Sequence, residues 1–132
     1  MDYTLNVEAV TRLCLDFAVV IQTQDGTEFR LEAQFRITSA DGNRSQEISP
    51  ENLAESGSPL VGLLHRDVSL VKITDSGTLT LTLADGERLD CPPDEQFEAW
   101  SVVTRNGERW VSLPGTGVAH FPGDPQESVQ PV

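Results

Sequence analysis

The sequence predicts a mainly β fold, an antiparallel sandwich or partly open barrel of about eight or nine strands with one or two short helices. Three observations predict it. Apolar residues recur at every second position through much of the chain, Asp-Gly and Asn-Gly pairs punctuate those runs, and only one stretch carries helix-start signals.

The first strand spans Leu15 to Thr23, with Leu15, Phe17, Val19 and Ile21 in phase. Asp25-Gly26 then supplies a hairpin turn. From Thr27 to Thr38 the alternation is unbroken. Phe29, Leu31, Ala33, Phe35 and Ile37 fall on one face and Glu28, Arg30, Glu32, Gln34 and Arg36 on the other. That reads as one long strand with a wet face.

Ser49-Pro50-Glu51 offers an N-cap, a proline at the first helical position and an acid in the first turn. Gly57-Ser58-Pro59 interrupts this helix, and a second short one fits Pro59 to Leu64. Val68 to Thr74 reads as a strand.

Leu79, Leu81 and Leu83 then alternate with threonines up to a second Asp-Gly turn, Asp85-Gly86, which leads into Arg88 to Cys91. Superposing the two Asp-Gly turns lays Val19, Ile21, Phe29 and Leu31 on Leu79, Leu81, Leu89 and Cys91. The same offset lays Leu13 on Ile73 and Thr11 on Val71. The chain therefore reads as two related β-meanders, although any two amphipathic hairpins can align this well.

Glu98 to Arg105 and Glu108 to Leu113 flank Asn106-Gly107, a two-residue hairpin signal. Pro114-Gly115-Thr116-Gly117 is a tight turn before a last strand, Val118 to Phe121. Residues 1–121 make a single domain. Residues 122–132, with three prolines and little apolar content, are expected to be a flexible tail.

Among 132 residues, nine Lys and Arg stand against 21 Asp and Glu, a net charge of −12. Such a surface repels nucleic-acid phosphates and anionic membrane, and attracts basic proteins. Acidity also serves solubility alone. The first ten residues carry two acids and no base, unlike a secretory signal, so the expected place is the cytoplasm. There Cys14 and Cys91 are most simply reduced core thiols.

Chemistry is scarce. The two histidines, His65 and His120, have no metal-ligand spacing with each other or with the cysteines, so no metal or cofactor is expected. No nucleophile motif is present, and Pro114-Gly115-Thr116-Gly117 lacks the Gly-Lys ending and the following helix of a phosphate loop. Carboxylates remain. The segment from Asp85 to Glu98 holds six acids against Arg88 alone. A solvated acidic loop is the plainer reading of such a run than a carboxylate-pair active site.

If a patch contacts a basic partner, Asp90, Asp94, Glu95 and Glu98 are its candidates. Trp110 joins them as a candidate anchor, because tryptophan dominates interface hot spots and this one sits beside Glu108 and Arg109. Trp100, in phase with Val102, is read as core.

The chain also carries Val10-Thr11-Arg12, Leu15-Asp16-Phe17 and a run of alternating leucines from Gly77 to Leu89 through Asp85-Gly86. Further on stand Phe97-Glu98-Ala99-Trp100 and Pro114-Gly115-Thr116-Gly117. In these motifs, from about Val7 to Phe121, it resembles a family of small actinobacterial proteins known only as a domain of unknown function. Family members often carry a third glycine where Thr116 stands. The resemblance implies a bacterial cytoplasmic protein and supplies no activity, cofactor or site residue.

The resulting expectation is a non-catalytic interaction module, antitoxin-like or immunity-like, that masks a basic partner. The alternative is a small-molecule-binding or regulatory β-barrel with an apolar pocket near Phe29, Phe35 and Leu81. An enzyme working through carboxylates ranks last.

Overall fold

A computed structural model describes residues 2–124. The part of the expected tail from residue 125 onward lies outside the described residues. The tail's first part is tied down, with the Asp124 N–H donating to the Asn106 carbonyl (2.9 Å).

Among the described residues twelve strands form two six-stranded antiparallel sheets that do not close into a barrel. The first sheet runs, in spatial order, β1 (Tyr3–Leu5), β7 (Val68–Ile73), β8 (Leu79–Leu83), β9 (Arg88–Cys91), β5 (Phe35–Thr38) and β6 (Ser45–Ile48). The second runs β12 (Val118–Phe121), β11 (Arg109–Ser112), β10 (Trp100–Val103), β4 (Glu28–Leu31), β3 (Val19–Thr23) and β2 (Val10–Leu15).

The expected long strand from Thr27 to Thr38 is in fact two. β4 belongs to one sheet and β5 to the other, and the chain crosses between them at Glu32–Gln34. The alternation survives because both strands face the same interior: Phe29, Leu31, Phe35 and Ile37 are all buried. The expected strand at Leu15 to Thr23 is also divided. Residues 16–18 are a turn in which Phe17 is 87% exposed, and only Val19 to Thr23 form a strand.

The two-meander reading holds in a specific form. β2-β3-β4 and β7-β8-β9 are equivalent, and each hands the strands that follow it (β5 and β6; β10, β11 and β12) to the other sheet, so that β10 pairs with β4 while β5 pairs with β9. Ile21 opposes Phe29, which opposes Val102; correspondingly Leu81 opposes Leu89, which opposes Ile37. Even the irregularities match, between Val10 and Arg12 in β2 and between Val68 and Leu70 in β7. Two matches, Leu13 on Ile73 and Thr11 on Val71, need correction. Leu13 opposes Ile21 and Val71 opposes Leu81, so Leu13 corresponds to Val71 and not to Ile73. The turn after β7 (74–78) is two residues longer than the turn after β2 (16–18) and shifts the register.

Four hairpins share one turn. At Thr23, Thr74, Leu83 and Thr104 the residue's carbonyl accepts the N–H of a glycine three positions on, while its N–H donates to the carbonyl four positions on. This is the three-residue loop with a left-handed glycine, so Asn106-Gly107 closes a longer turn than the two-residue one expected. A threonine before the turn steadies it: Thr23 Oγ1 donates to Asp25 and Thr104 Oγ1 to Asn106.

Burial pushes the Asp25 carboxyl up, but hydrogen bonds from Thr23, Thr27 and the Glu8 N–H outweigh it and hold the group below its ordinary value. A carboxyl so lowered adds stability above the unfolded value near 3.8, and that contribution fades as pH falls through the folded value. Asp25→Ala is therefore expected to lower the urea midpoint at neutral pH, with the gap to wild type shrinking as pH falls below the unfolded value near 3.8.

Between β6 and β7 lie a 3-10 turn (Pro50–Asn52), one α-helical turn (Leu53–Ser56) and a 3-10 stretch (Ser58–Leu63). Ser49 makes no side-chain cap; the Ser56 hydroxyl instead accepts the Ser49 N–H (3.0 Å). Leu60 and Leu63 are buried against the core. Among the described residues no helix is long and apolar enough to cross a membrane.

Candidate functional site

Where the sheets exchange strands, two crossovers meet. One is Glu32–Gln34 between β4 and β5, the other residues 92–99 between β9 and β10. Ala99 joins them, its carbonyl accepting the N–H groups of Glu32 (2.8 Å) and Ala33 (3.2 Å). Backbone bonds thus fix the outer rim of this junction in place.

Asp94 shapes the longer crossover. Its Oδ2 accepts the N–H groups of Gln96 (2.9 Å) and Phe97 (3.3 Å), and its carbonyl accepts that of Gly115 (2.7 Å). The resulting turn projects Phe97, which stays 53% exposed. With the 3-10 turn at Pro50 it encloses a groove of about 170 Å³ lined by Glu32, Gln34, Pro50, Glu51, Asp94 and Phe97. Glu95 and Glu98 are exposed at neighbouring positions. Among the described residues Glu51, Asp94, Glu95 and Glu98 have no cationic partner, while Glu32 pairs with Arg30.

Charge is sorted by structure. The strands carry six of the nine bases but only three of the 21 acids, Glu28, Glu47 and Asp90. The net negative charge therefore resides in turns and crossovers, and the groove is one of the places where it gathers.

The five residues singled out from sequence do not form one patch. Asp94, Glu95 and Glu98 share the crossover. Asp90 lies on the outward face of β9, where its carboxylate accepts from Thr80 Oγ1 (2.8 Å) and from Arg88 Nε (2.8 Å). It directly opposes Arg36, which bonds Glu47 at 3.3 Å. Asp90 thus belongs to a neutralised polar row.

Trp110 is not an exposed anchor: it is 2% exposed. It faces inward opposite Val102 and is covered by His120 of β12 and Tyr3 of β1. Sequence reasoning missed Glu32, Glu51 and Phe97. The exposed phenylalanine inside Phe97-Glu98-Ala99-Trp100 was the available signal; the two glutamates come from segments distant in sequence and carry none.

Other expectations are settled by position. The core gap bordered by Ile21, Ile37, Leu81 and Leu89 is about 10 Å³. That is at the limit for one water. The two sheets stay open, so the barrel of the alternative reading is not formed.

Cys91 is buried, and desolvation pushes its thiol up to about 12, so it is inert at neutral pH. Cys14 is no core thiol; it is half-buried on the outward face opposite Val20. His65 is exposed with a φ of 68°. Among the described residues no three His, Cys, Asp or Glu side chains are placed to hold a metal ion.

The motif residues converge, but as a structural knot. Trp100 Nε1 donates to the Gly77 carbonyl (2.8 Å), and the Gly117 N–H donates to the Ser76 carbonyl (2.9 Å). A family model covers residues 1–122, nearly all that is described. The chain belongs to the family of unknown function DUF6188. No curated protein and no solved structure matches it. For this DUF6188 chain, then, the residues of the leucine-run, Phe-Glu-Ala-Trp and Pro-Gly-x-Gly motifs that meet at Gly77 hold turns and strands together.

Proposed function

We propose that this DUF6188 domain is a non-catalytic interaction module, of antitoxin or immunity type in a bacterial cytoplasm, that docks a basic protein in the acidic groove at the sheet exchange. One observation carries the reading. Three segments distant in sequence place Glu32, Glu51 and Asp94 around one groove beside the half-exposed ring of Phe97. Acids steer a basic partner in, and an exposed aromatic supplies the anchor that charge alone does not.

The groove favours binding over catalysis. Glu32, Gln34 and Glu51 are exposed, whereas a carboxyl general acid is kept protonated by a walled, apolar setting. Asp94 spends Oδ2 on its own turn.

The test is capture from the native host's lysate at low salt, followed by affinity measurement on the retained protein. Wild type is expected to retain a basic protein. Asp94→Lys with Glu95→Lys is expected to weaken that complex at least about tenfold, and raised salt to weaken the wild-type complex likewise. Phe97→Ala should lose affinity at every salt concentration. Equal binding by the charge-reversed variant at low salt rejects the reading.

A further inference from the structure

We propose that the free edge of β2 pairs with β2 of a second copy of this chain, antiparallel and centred on Cys14, so that the second sheet continues through a dimer. The internal repeat points to a strand at this place. β7, the equivalent of β2, has its outer edge covered by the antiparallel strand β1, with Leu5 opposite Val71, Thr4 opposite Lys72 and Tyr3 opposite Ile73. The corresponding positions of β2 are Leu13, Cys14 and Leu15, and among the described residues no strand lies on their outer side. Only the start of β2 is covered. There the Val10 carbonyl accepts the His65 N–H (2.7 Å) and the Val10 N–H donates to the Arg66 carbonyl (2.9 Å).

The backbone of this edge is in phase for a partner. The Asp16 N–H donates to the Ala18 carbonyl (3.0 Å) across the β2–β3 turn. Bonded and non-bonded pairs alternate along an antiparallel ladder, so Cys14 bonds to β3 while Leu13 and Leu15 direct their N–H and C=O groups outward. Val71 and Ile73 stand in the same phase toward β1, since the Thr74 N–H donates to the Thr78 carbonyl across their hairpin. An edge with such groups free is a template for strand addition.

A second β2 suits the edge in hydrogen bonding, packing and charge. Centred on Cys14, it sets Leu13 of each copy opposite Leu15 of the other, and these pairs exchange the outward backbone groups. The incoming Leu15 and Leu13 then take the places that Leu5 and Tyr3 hold in the first sheet, as apolar residues on the core side. Leu15, 43% exposed in the single chain, gains cover. The same register sets Arg12 opposite Asp16 of the other copy. Both are exposed, and neither has an ion-pair partner among the described residues. β2 itself carries Arg12 and no acid, so two chains of net charge −12 repel least along it. Exposed Phe17 and Leu64 adjoin opposite ends of β2, and antiparallel pairing brings one copy's Phe17 toward the other's Leu64.

Sedimentation equilibrium and amide exchange of the full chain test this. Wild type is expected to dimerise with a dissociation constant of about 5 µM. Between about 1 µM and about 100 µM chain, protection of the Leu13 and Leu15 amides should then rise about fivefold by mass action. Arg12→Asp and Asp16→Arg should each weaken the dimer at least about tenfold, because each change acts twice across the two-fold axis. The chain carrying both changes should recover most of the wild-type affinity. A monomer at about 100 µM, or a dimer whose Leu13 and Leu15 amides stay unprotected, overturns the proposal. So does a double variant no tighter than the single ones. Protection of these amides that is equal at both concentrations also overturns it, since another segment then occupies the edge. Should a variant fail to fold, wild-type mass and exchange decide alone.

Discussion

Trp100→Ala is expected to destabilise the domain by about 3–5 kcal/mol, the range for deleting a fully buried aromatic ring. Trp100 is 1% exposed and is the first residue of β10, directly after the crossover from β9. Its ring packs inside the second sheet while its Nε1 reaches the Gly77 carbonyl in the β7–β8 turn of the first (2.8 Å). The indole is thus both core volume and an inter-sheet bond.

The receiving turn cannot easily adapt. Gly77 has a φ of 107°, and a Cβ on it would stand 2.9 Å from the Gly117 carbonyl oxygen. The far side of the turn is held by Thr116 Oγ1 and the Gly117 N–H, both donating to the Ser76 carbonyl. Trp100→Phe separates the two contributions. It keeps most of the ring and leaves the Gly77 carbonyl unpaired, for an expected loss of about 1–3 kcal/mol. Urea midpoints of both variants check this. Small domains have roughly 5–15 kcal/mol in all, so the alanine variant should sit close to unfolding. A loss below about 1 kcal/mol in Trp100→Ala would mean that the sheets do not depend on this tie.

The hairpins were legible because their chemistry is local. Asp25-Gly26 and Asp85-Gly86 turn the chain where expected, and the offset between them exposes the internal repeat. The strand exchange was not legible. Nothing between Leu31 and Phe35 interrupts the alternation, since a strand leaving one sheet for the facing one keeps the same residues inward. Turn length likewise escaped detection, and two extra residues after β7 moved the deduced match of Leu13 by one inward position.

The site was legible in part for the same reason. Asp94, Glu95 and Glu98 are close in sequence, so their acidity showed. Glu32 and Glu51 join them only through the exchange. Trp110 was misread because its neighbours Glu108 and Arg109 are polar. Its burial comes from β12 and from Tyr3, more than a hundred positions away.

Removing one oxygen atom at the exchange should be nearly as damaging as truncating a large side chain. Ser112 is fully buried, and its Oγ accepts two backbone N–H groups, from Ala99 (2.7 Å) and from Trp100 (3.2 Å). The Ala99 carbonyl is meanwhile occupied by Glu32 and Ala33 of the other crossover. The hydroxyl therefore takes the place of ladder bonds that the incoming chain has not yet formed. Ser112→Ala leaves both donors buried and unpaired, at about 1–3 kcal/mol each with the longer bond counting least, so the expected loss is about 2–4 kcal/mol.

The volume change is too small for a cavity to explain a loss of that size. Ser112→Cys, similar in shape with a weak sulfur acceptor, should fall between wild type and alanine. Urea midpoints give the magnitude. Amide exchange at Ala99 and Trp100 gives the mechanism, since these two positions should lose protection ahead of the β3–β4 hairpin. If Ser112→Ala costs under about 1 kcal/mol, water reaches the two donors and the junction is looser than its geometry states. If the loss is large and confined to these amides, one buried hydroxyl holds the point where the two sheets trade strands.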